Sequence, residues 1–264
     1  MSDKHREYLN DQIEMHKDLS RVYTEKRYSP DYSRIYQKHW NKKICNMAQL
    51  SYGDNALDYG CGTGILFPQL LEQGCRVIGL DLSYDMLHSC ESTTGDILRV
   101  CADGCNAPFA DNSFASVICR GSIHHLPDLE KAFREIFRLL EEDGCLVFSE
   151  PSNDSIINRL ARKTMYRKSE EFHEEDEGFL RKEIVPMLEE IGFRVEESIG
   201  FGFVAYTLAG FPDKINILEK IPGNCQISKL LILVDRFLES IPLINQLALH
   251  WQVRARKQPQ QDRP

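Results

Sequence analysis

The side chains with chemistry to offer fall in five short stretches. In LDYGCGTG, Asp58 precedes three glycines at alternate positions, Gly60, Gly62 and Gly64. Such glycines let the chain turn sharply, so that backbone N–H groups and a helix N-terminus can meet a small anion such as a carboxylate. The dinucleotide fingerprint G-x-G-x-x-G is not met, because its last glycine would fall at Phe67, and no Lys-Ser or Lys-Thr pair follows to make a phosphate loop. VIGLD then ends on Asp81, where a carboxylate can accept from two ribose hydroxyls; VCAD ends on Asp103, which can accept from an exocyclic adenine amine. RGSIHHLPD brings His124 and His125, imidazoles able to take a proton from a hydroxyl, amine or acidic carbon near neutral pH. Of the two, His125 is the first choice for touching substrate. Glu150, closing CLVFSE, has three readings: a base, a substrate ligand, or a carboxylate paired structurally at a sheet edge.

Each of these residues also has a plainer use. The glycines can serve a tight turn, although that explains one or two of them rather than three. Asp81 can cap the next helix, but Ser83 is better placed to do so, and Asp103 can be a turn residue. One of the two adjacent histidines commonly packs or caps. Cys61 and Cys119 read as loop and core thiols, since no basic partner is implied beside them.

The elements that must hold these residues alternate along the chain. NALDYG, CRVIGLD, ILRVCAD, FASVICR and CLVFSEP read as strands, and their near-continuous apolar character points to a parallel sheet buried on both faces. Leu129, Ala132, Phe133, Ile136, Phe137 and Leu140 recur at helical spacing, with Asp128 to cap that helix and Gly144 to end the turn after it. FLRKEIVPMLEEIGF reads as a helix ended by Gly192 and kinked or started by Pro186, with a strand in RVEESIGFGF. Residues 203–246 break the alternation and read as an insertion before a last strand in LALHWQVRARK. A β-α-β succession of this kind gives a doubly wound sheet whose ligands sit beyond the carboxyl ends of the strands.

Composition bounds the partners. The 264 residues suit one large α/β domain with appendages. Thirty-two basic against forty acidic residues give a net charge of −8, which disfavours nucleic acid. Nine scattered cysteines without a C-x-x-C suit reduced thiols in a cytosol. The first residues lack an apolar leader core and no run is long enough to span a bilayer, so a soluble, cytoplasmic protein is expected. The acidic run SEEFHEEDEG reads as a solvated loop, and no metal site is expected.

In order and spacing, LDYGCGTG, VIGLDLSYDML, ADGCNAPFADNSFASVICRGSIHHLPD and RLLEEDGCLVFSEP resemble the class I S-adenosylmethionine-dependent methyltransferases, within the group that includes the ubiquinone and menaquinone C-methyltransferases. HWQVRARK resembles that family's terminal antiparallel strand. The resemblance implies a Rossmann-like, seven-stranded, mostly parallel sheet with an antiparallel last strand. It sets residues 51–202 and 247–257 as the S-adenosylmethionine-binding core, 1–50 as an N-terminal helical lid and 203–246 as a helical insertion. It implies that Asp58, Gly60, Cys61, Gly62, Thr63 and Gly64 hold the methionine part of the donor and Asp81 the ribose, with Leu82 and Met86 beside it. Asp103 and Gly104 then hold the adenine, and Arg120 with Gly121 line the floor beneath the sulfonium. Two other readings stay open: a catalytically silent S-adenosylmethionine-binding protein and an NAD(P)-dependent oxidoreductase.

The flanks are expected to shape the acceptor side. Tyr32, Tyr36 and Trp40 recur at i, i+4 and i+8, and Tyr32 or Tyr36 is expected to border the pocket. Leu230, Leu233, Val234, Phe237 and Ile241 form an apolar stripe whose default is packing against the domain. A cap over the pocket, a peripheral membrane contact and a homodimer contact are its alternatives. Together these segments lead to the expectation of a small, largely apolar acceptor, prenylated, lipid-like or aromatic.

Overall fold

The computed structural model describes residues 3–90, 97–154 and 178–259, so most of the acidic run at 169–178 lies outside the described residues. The seven runs rich in β-branched and apolar residues form one sheet: β1 (Asn55–Tyr59), β2 (Arg76–Asp81), β3 (Leu98–Cys101), β4 (Phe114–Arg120), β5 (Leu140–Pro151), β6 (Phe193–Phe201) and β7 (His250–Lys257). Their order is β3-β2-β1-β4-β5-β7-β6, and β7 runs antiparallel to both of its neighbours. The sheet reverses its build direction between β1 and β4, which are paired through Ala56–Ser116, Leu57–Val117 and Asp58–Ile118. At such a switch point the connections leave in opposite directions and open a crevice at the carboxyl edge.

Both faces of the sheet are covered. One face buries Phe133 and Ile136 of α5 (Leu129–Leu139) and Ile184 and Leu188 of α6 (Arg181–Ile191). The other buries Ile44 of α2 (Asp31–Met47), Phe67 and Leu70 of α3 (Phe67–Glu72) and Leu87 of α4 (Tyr84–His88). Asp128 caps α5 by accepting from the Lys131 N–H at 3.0 Å, and Gly192 ends α6 at φ 114°. That helix continues through Pro186. The turn after α5 differs from expectation: Asp143, at φ 60°, takes the left-handed position, and Gly144 does not. Asp residues tolerate that region because the short side chain bonds locally.

A long helix α1 (Asp3–Val22) and one π turn (Tyr23–Arg27) precede α2. The insertion between β6 and β7 carries α7 (Val204–Ala209), α8 (Asn224–Glu239) and α9 (Pro242–Asn245). Tyr32, Tyr36 and Trp40 pack with Phe201, Ala205, Leu218 and Ile232 into a third core, which joins α2 to the insertion.

The apolar stripe of α8 does not pack inward. Leu230, Leu233, Val234 and Phe237 face solvent, while Ser228, Ile232 and Asp235 face the domain. Polar anchors set this rotation. The Asp235 carboxylate accepts from the N–H groups of Phe203, Val204, Ala205 and Tyr206 at 2.8–3.3 Å, which satisfies the start of α7. Ser228 donates to the Tyr32 carbonyl at 2.8 Å, and Glu239 pairs with Lys43 at 2.6 Å. Unsatisfied N–H groups at a buried helix start are costly, so they outweigh a stripe that water tolerates. Among the described residues no helix is long and apolar enough to cross a membrane.

Candidate active site

A cavity of about 570 Å³ opens at the carboxyl edge, over the β1/β4 switch point. Every residue expected at the site lines it except Asp58, Gly64 and Glu150. The β1–α3 turn is held from below by the Leu80 carbonyl, which accepts from the Gly60 and Cys61 N–H groups at 2.8 and 3.0 Å. Gly62 (φ 53°) and Gly121 (φ 63°) both occupy the left-handed region, and a Cβ on either would meet no atom within 4 Å. Their open side is the cavity, so backbone is presented there bare. Gly64 serves packing instead, because the place of its missing side chain is taken by the Phe67 ring and Cys90 Sγ.

Asp81 is fixed by two backbone donors, Gly62 N–H on Oδ2 at 2.7 Å and Ser83 N–H on Oδ1 at 2.8 Å. Each carboxylate oxygen accepts more than one hydrogen bond, so the cavity side can still engage a diol. Ser83, as expected, caps α4 through the Met86 N–H. Asp103 accepts from the Cys105 N–H at 2.9 Å and also lines the cavity, so a turn role and a place on the wall fall to one residue.

Behind the glycine turn lie two unsatisfied polar atoms, Asp58 Oδ2 and Arg120 Nε. Burial pushes the Asp58 carboxyl up to about 8, against the pull of Arg120 and with the charge of Asp81 adding to the rise. Burial presses the Arg120 guanidinium down from its ordinary value. Arg120 lies 4.0 Å over the Trp40 ring and donates to the Gln37 side chain. An orphaned acceptor and an orphaned donor beside bare backbone fit the ammonium and carboxylate of an amino-acid moiety.

The His124 and His125 rings lie 4.0 Å apart between centres, tilted by 38°, and both line the cavity. Glu150 is fully buried and holds His124 Nδ1 at 2.5 Å, while its other oxygen accepts from the Ser122 and Ile123 N–H groups at 2.9 and 3.0 Å. Of its three readings the geometry matches the structurally paired carboxylate. With Nδ1 engaged, the nitrogen of His124 left for a reacting proton is Nε2. Burial pushes the Cys61 and Cys119 thiols up, away from the nucleophilic thiolate.

The far wall holds what the sequence did not single out. Tyr206 Oη lies 2.5 Å from His250 Nε2, and the His250 ring meets Trp40 edge-on at 4.9 Å. A histidine at the head of the last strand, ahead of the alternating Trp251, Val253 and Ala255, was the available signal. Arg27 makes a two-bond pair with Asp213 at 2.8 and 2.6 Å and lies between the Tyr23 and Phe211 rings. Trp40 borders the cavity, whereas Tyr32 and Tyr36 do not. The insertion contributes Tyr206, Phe211 and Ile215 to the wall and nothing from Leu230 to Ile241.

A family model described as a methyltransferase domain matches residues 57–148. Over 185 residues the chain is 27% identical to the demethylmenaquinone methyltransferase of Corynebacterium urealyticum, covering 70% of this chain and 73% of that protein. With the enzyme of the same name from Lactobacillus johnsonii it shares 31% over 159 residues, covering 53% of this chain and 64% of that protein. It spans about half the length of further relatives of that name. In three dimensions it is similar to a SAM-dependent methyltransferase from Archaeoglobus fulgidus, with a TM-score of 0.57 at 18% identity over 85% of this chain and 94% of that one. The matched stretch runs from within β1 to Phe148 in β5, the part that builds the floor of the cavity. The matched domain, the relatives and the fold support a class I S-adenosylmethionine-dependent methyltransferase.

Proposed function

We propose that this methyltransferase acts on a largely apolar, ring-bearing acceptor of the quinol or phenol class, and that His124 takes the proton the acceptor gives up. The observation that carries the reading is the continuity of the cavity. The one cavity is lined by bare glycine backbone and the carboxylates of Asp81 and Asp103 and also by Leu9, Ile13, Trp40, Tyr206 and Phe211, with Gln12, Arg27, Lys214 and His250 among them. Its volume of about 570 Å³ lies within the range of small-molecule pockets. The names of the curated relatives support a quinone-type acceptor.

When bound, the donor supplies an electrophilic methyl group on a sulfonium. Asp81 would hold its ribose, Asp103 and Gly104 its adenine, and Asp58 with Arg120 its amino-acid end. On the acceptor side, Trp40 and Tyr206 orient a ring, and α1 with α2 act as a lid that keeps water out. His124 holds the acceptor's proton at Nε2, and Glu150 steadies the imidazolium from Nδ1 without touching substrate. His125, the first choice from sequence, keeps a place on the wall.

The test is turnover of labelled donor with a panel of prenylated or alkylated hydroquinones against small charged acceptors. Methylation of the apolar panel, with a His124→Gln variant that loses at least about 100-fold in kcat and flattens the acidic limb of the pH profile, supports the reading. Methylation confined to charged acceptors overturns the acceptor class, and full activity in His124→Gln overturns the base.

A further inference from the structure

The outward face of α8 is the feature of the surface that the cavity does not explain. Leu230, Leu233 and Phe237 are 60, 57 and 66% exposed and follow one another at i, i+3 and i+7, with Val234 beside them. Leu243 and Leu247 continue the exposure just beyond the helix, and Ile217 and Ile221 precede it. Four large apolar side chains on one helical face are more than the scattered exposure of an ordinary surface.

The charges of this helix are sorted. Its two acids, Asp235 and Glu239, both point inward, the first onto the start of α7 and the second onto Lys43 and the Gly202 N–H. Its two bases, Lys229 and Arg236, are exposed and lie seven residues apart along the flank of the apolar ridge. In a chain of net charge −8, this helix shows solvent apolar and cationic side chains and the neutral Gln226, with both of its acids turned inward. A ridge of leucine and phenylalanine edged by lysine and arginine complements a bilayer, with acyl chains under the ridge and anionic headgroups beside the cations. A positive local field matters at short range, because salt screens the negative remainder of the molecule beyond roughly 10 Å.

We infer that the exposed face of α8 is a docking surface for lipid bilayers that carry anionic headgroups, with Leu230, Leu233 and Phe237 entering the interface. None of these side chains touches the cavity, so the inference does not rest on the identity of the acceptor, and donor binding reports separately on folding.

The test is flotation of the full chain with vesicles of phosphatidylcholine alone and of phosphatidylcholine with phosphatidylglycerol. The protein should float with the anionic vesicles, weakly with the neutral ones, and less as salt rises. Leu233→Asp with Phe237→Asp should cut the bound fraction at least about fivefold, and Lys229→Glu with Arg236→Glu at least about threefold. Both pairs should leave adenosylhomocysteine affinity unchanged, since exposed positions tolerate charge. A parent protein that stays with the soluble fraction overturns the inference. So does a parent that elutes as a dimer which Leu233→Asp splits, because the ridge would then be covered by a second copy.

Discussion

Asp58 and Asp81 sit one strand apart and face opposite demands. Asp81 is satisfied before any ligand arrives, by Gly62 and Ser83, so its geometry is set in advance. Removing it in Asp81→Ala should weaken adenosylhomocysteine binding by at least about 1.5 kcal/mol, roughly tenfold, as read by calorimetry. Asp58 is the reverse case, a buried carboxyl with an unsatisfied oxygen, pushed up to about 8 chiefly by burial. A folded-state value above the unfolded one means that this group's contribution is complete below the ordinary carboxylate range and is lost as pH rises toward about 8. Asp58→Asn should therefore be more stable than the parent at pH 8 by at least about 1 kcal/mol in urea unfolding, and the gap should close near pH 4. The same variant should bind adenosylhomocysteine less well. A gap that does not change with pH would show that the carboxyl is ionised in the fold.

Secondary elements differ in how openly their placement is written. The five parallel strands and α5 were legible because apolar periodicity reports burial directly, and the ends of those strands carried Asp81, Asp103 and the two histidines with them. The rotation of α8 was not legible, because it is set by Asp235 meeting four N–H groups about thirty residues away, a contact no local pattern encodes. Tyr206 and His250 escaped for the same reason: one lies in the insertion, the other in the last strand, and only the fold joins them. The roles of Glu150 and Gly64 also waited on packing, since an acid at a sheet edge and a glycine in a turn look alike whether they meet ligand or protein. Because Asp235 carries the start of α7, Asp235→Asn should cost about 2–4 kcal/mol in unfolding free energy and let Tyr206 drift. Its acceptor KM should rise while adenosylhomocysteine affinity stays within about twofold; equal loss of both would mean general loosening.

At the scale of the molecule, the floor of the cavity comes from the core and its walls from the segments before β1 and before β7. The Arg27–Asp213 pair ties those two segments together, both partners nearly enclosed at 12 and 2% side-chain exposure. The pair closes one side of the cavity, and departure past it would be an opening event with its own barrier. Residence time, more than affinity, is what such a clasp controls. Replacing the pair by apolar groups of similar size, Arg27→Met with Asp213→Leu, avoids stranding a buried charge. In stopped-flow traces it should speed both arrival and departure of adenosylhomocysteine by at least about fivefold, with Kd held within about twofold. If departure is unchanged, the way out runs elsewhere. If it quickens, the tempo of repeated cycles is set by a knot of two side chains that never meets the methyl group.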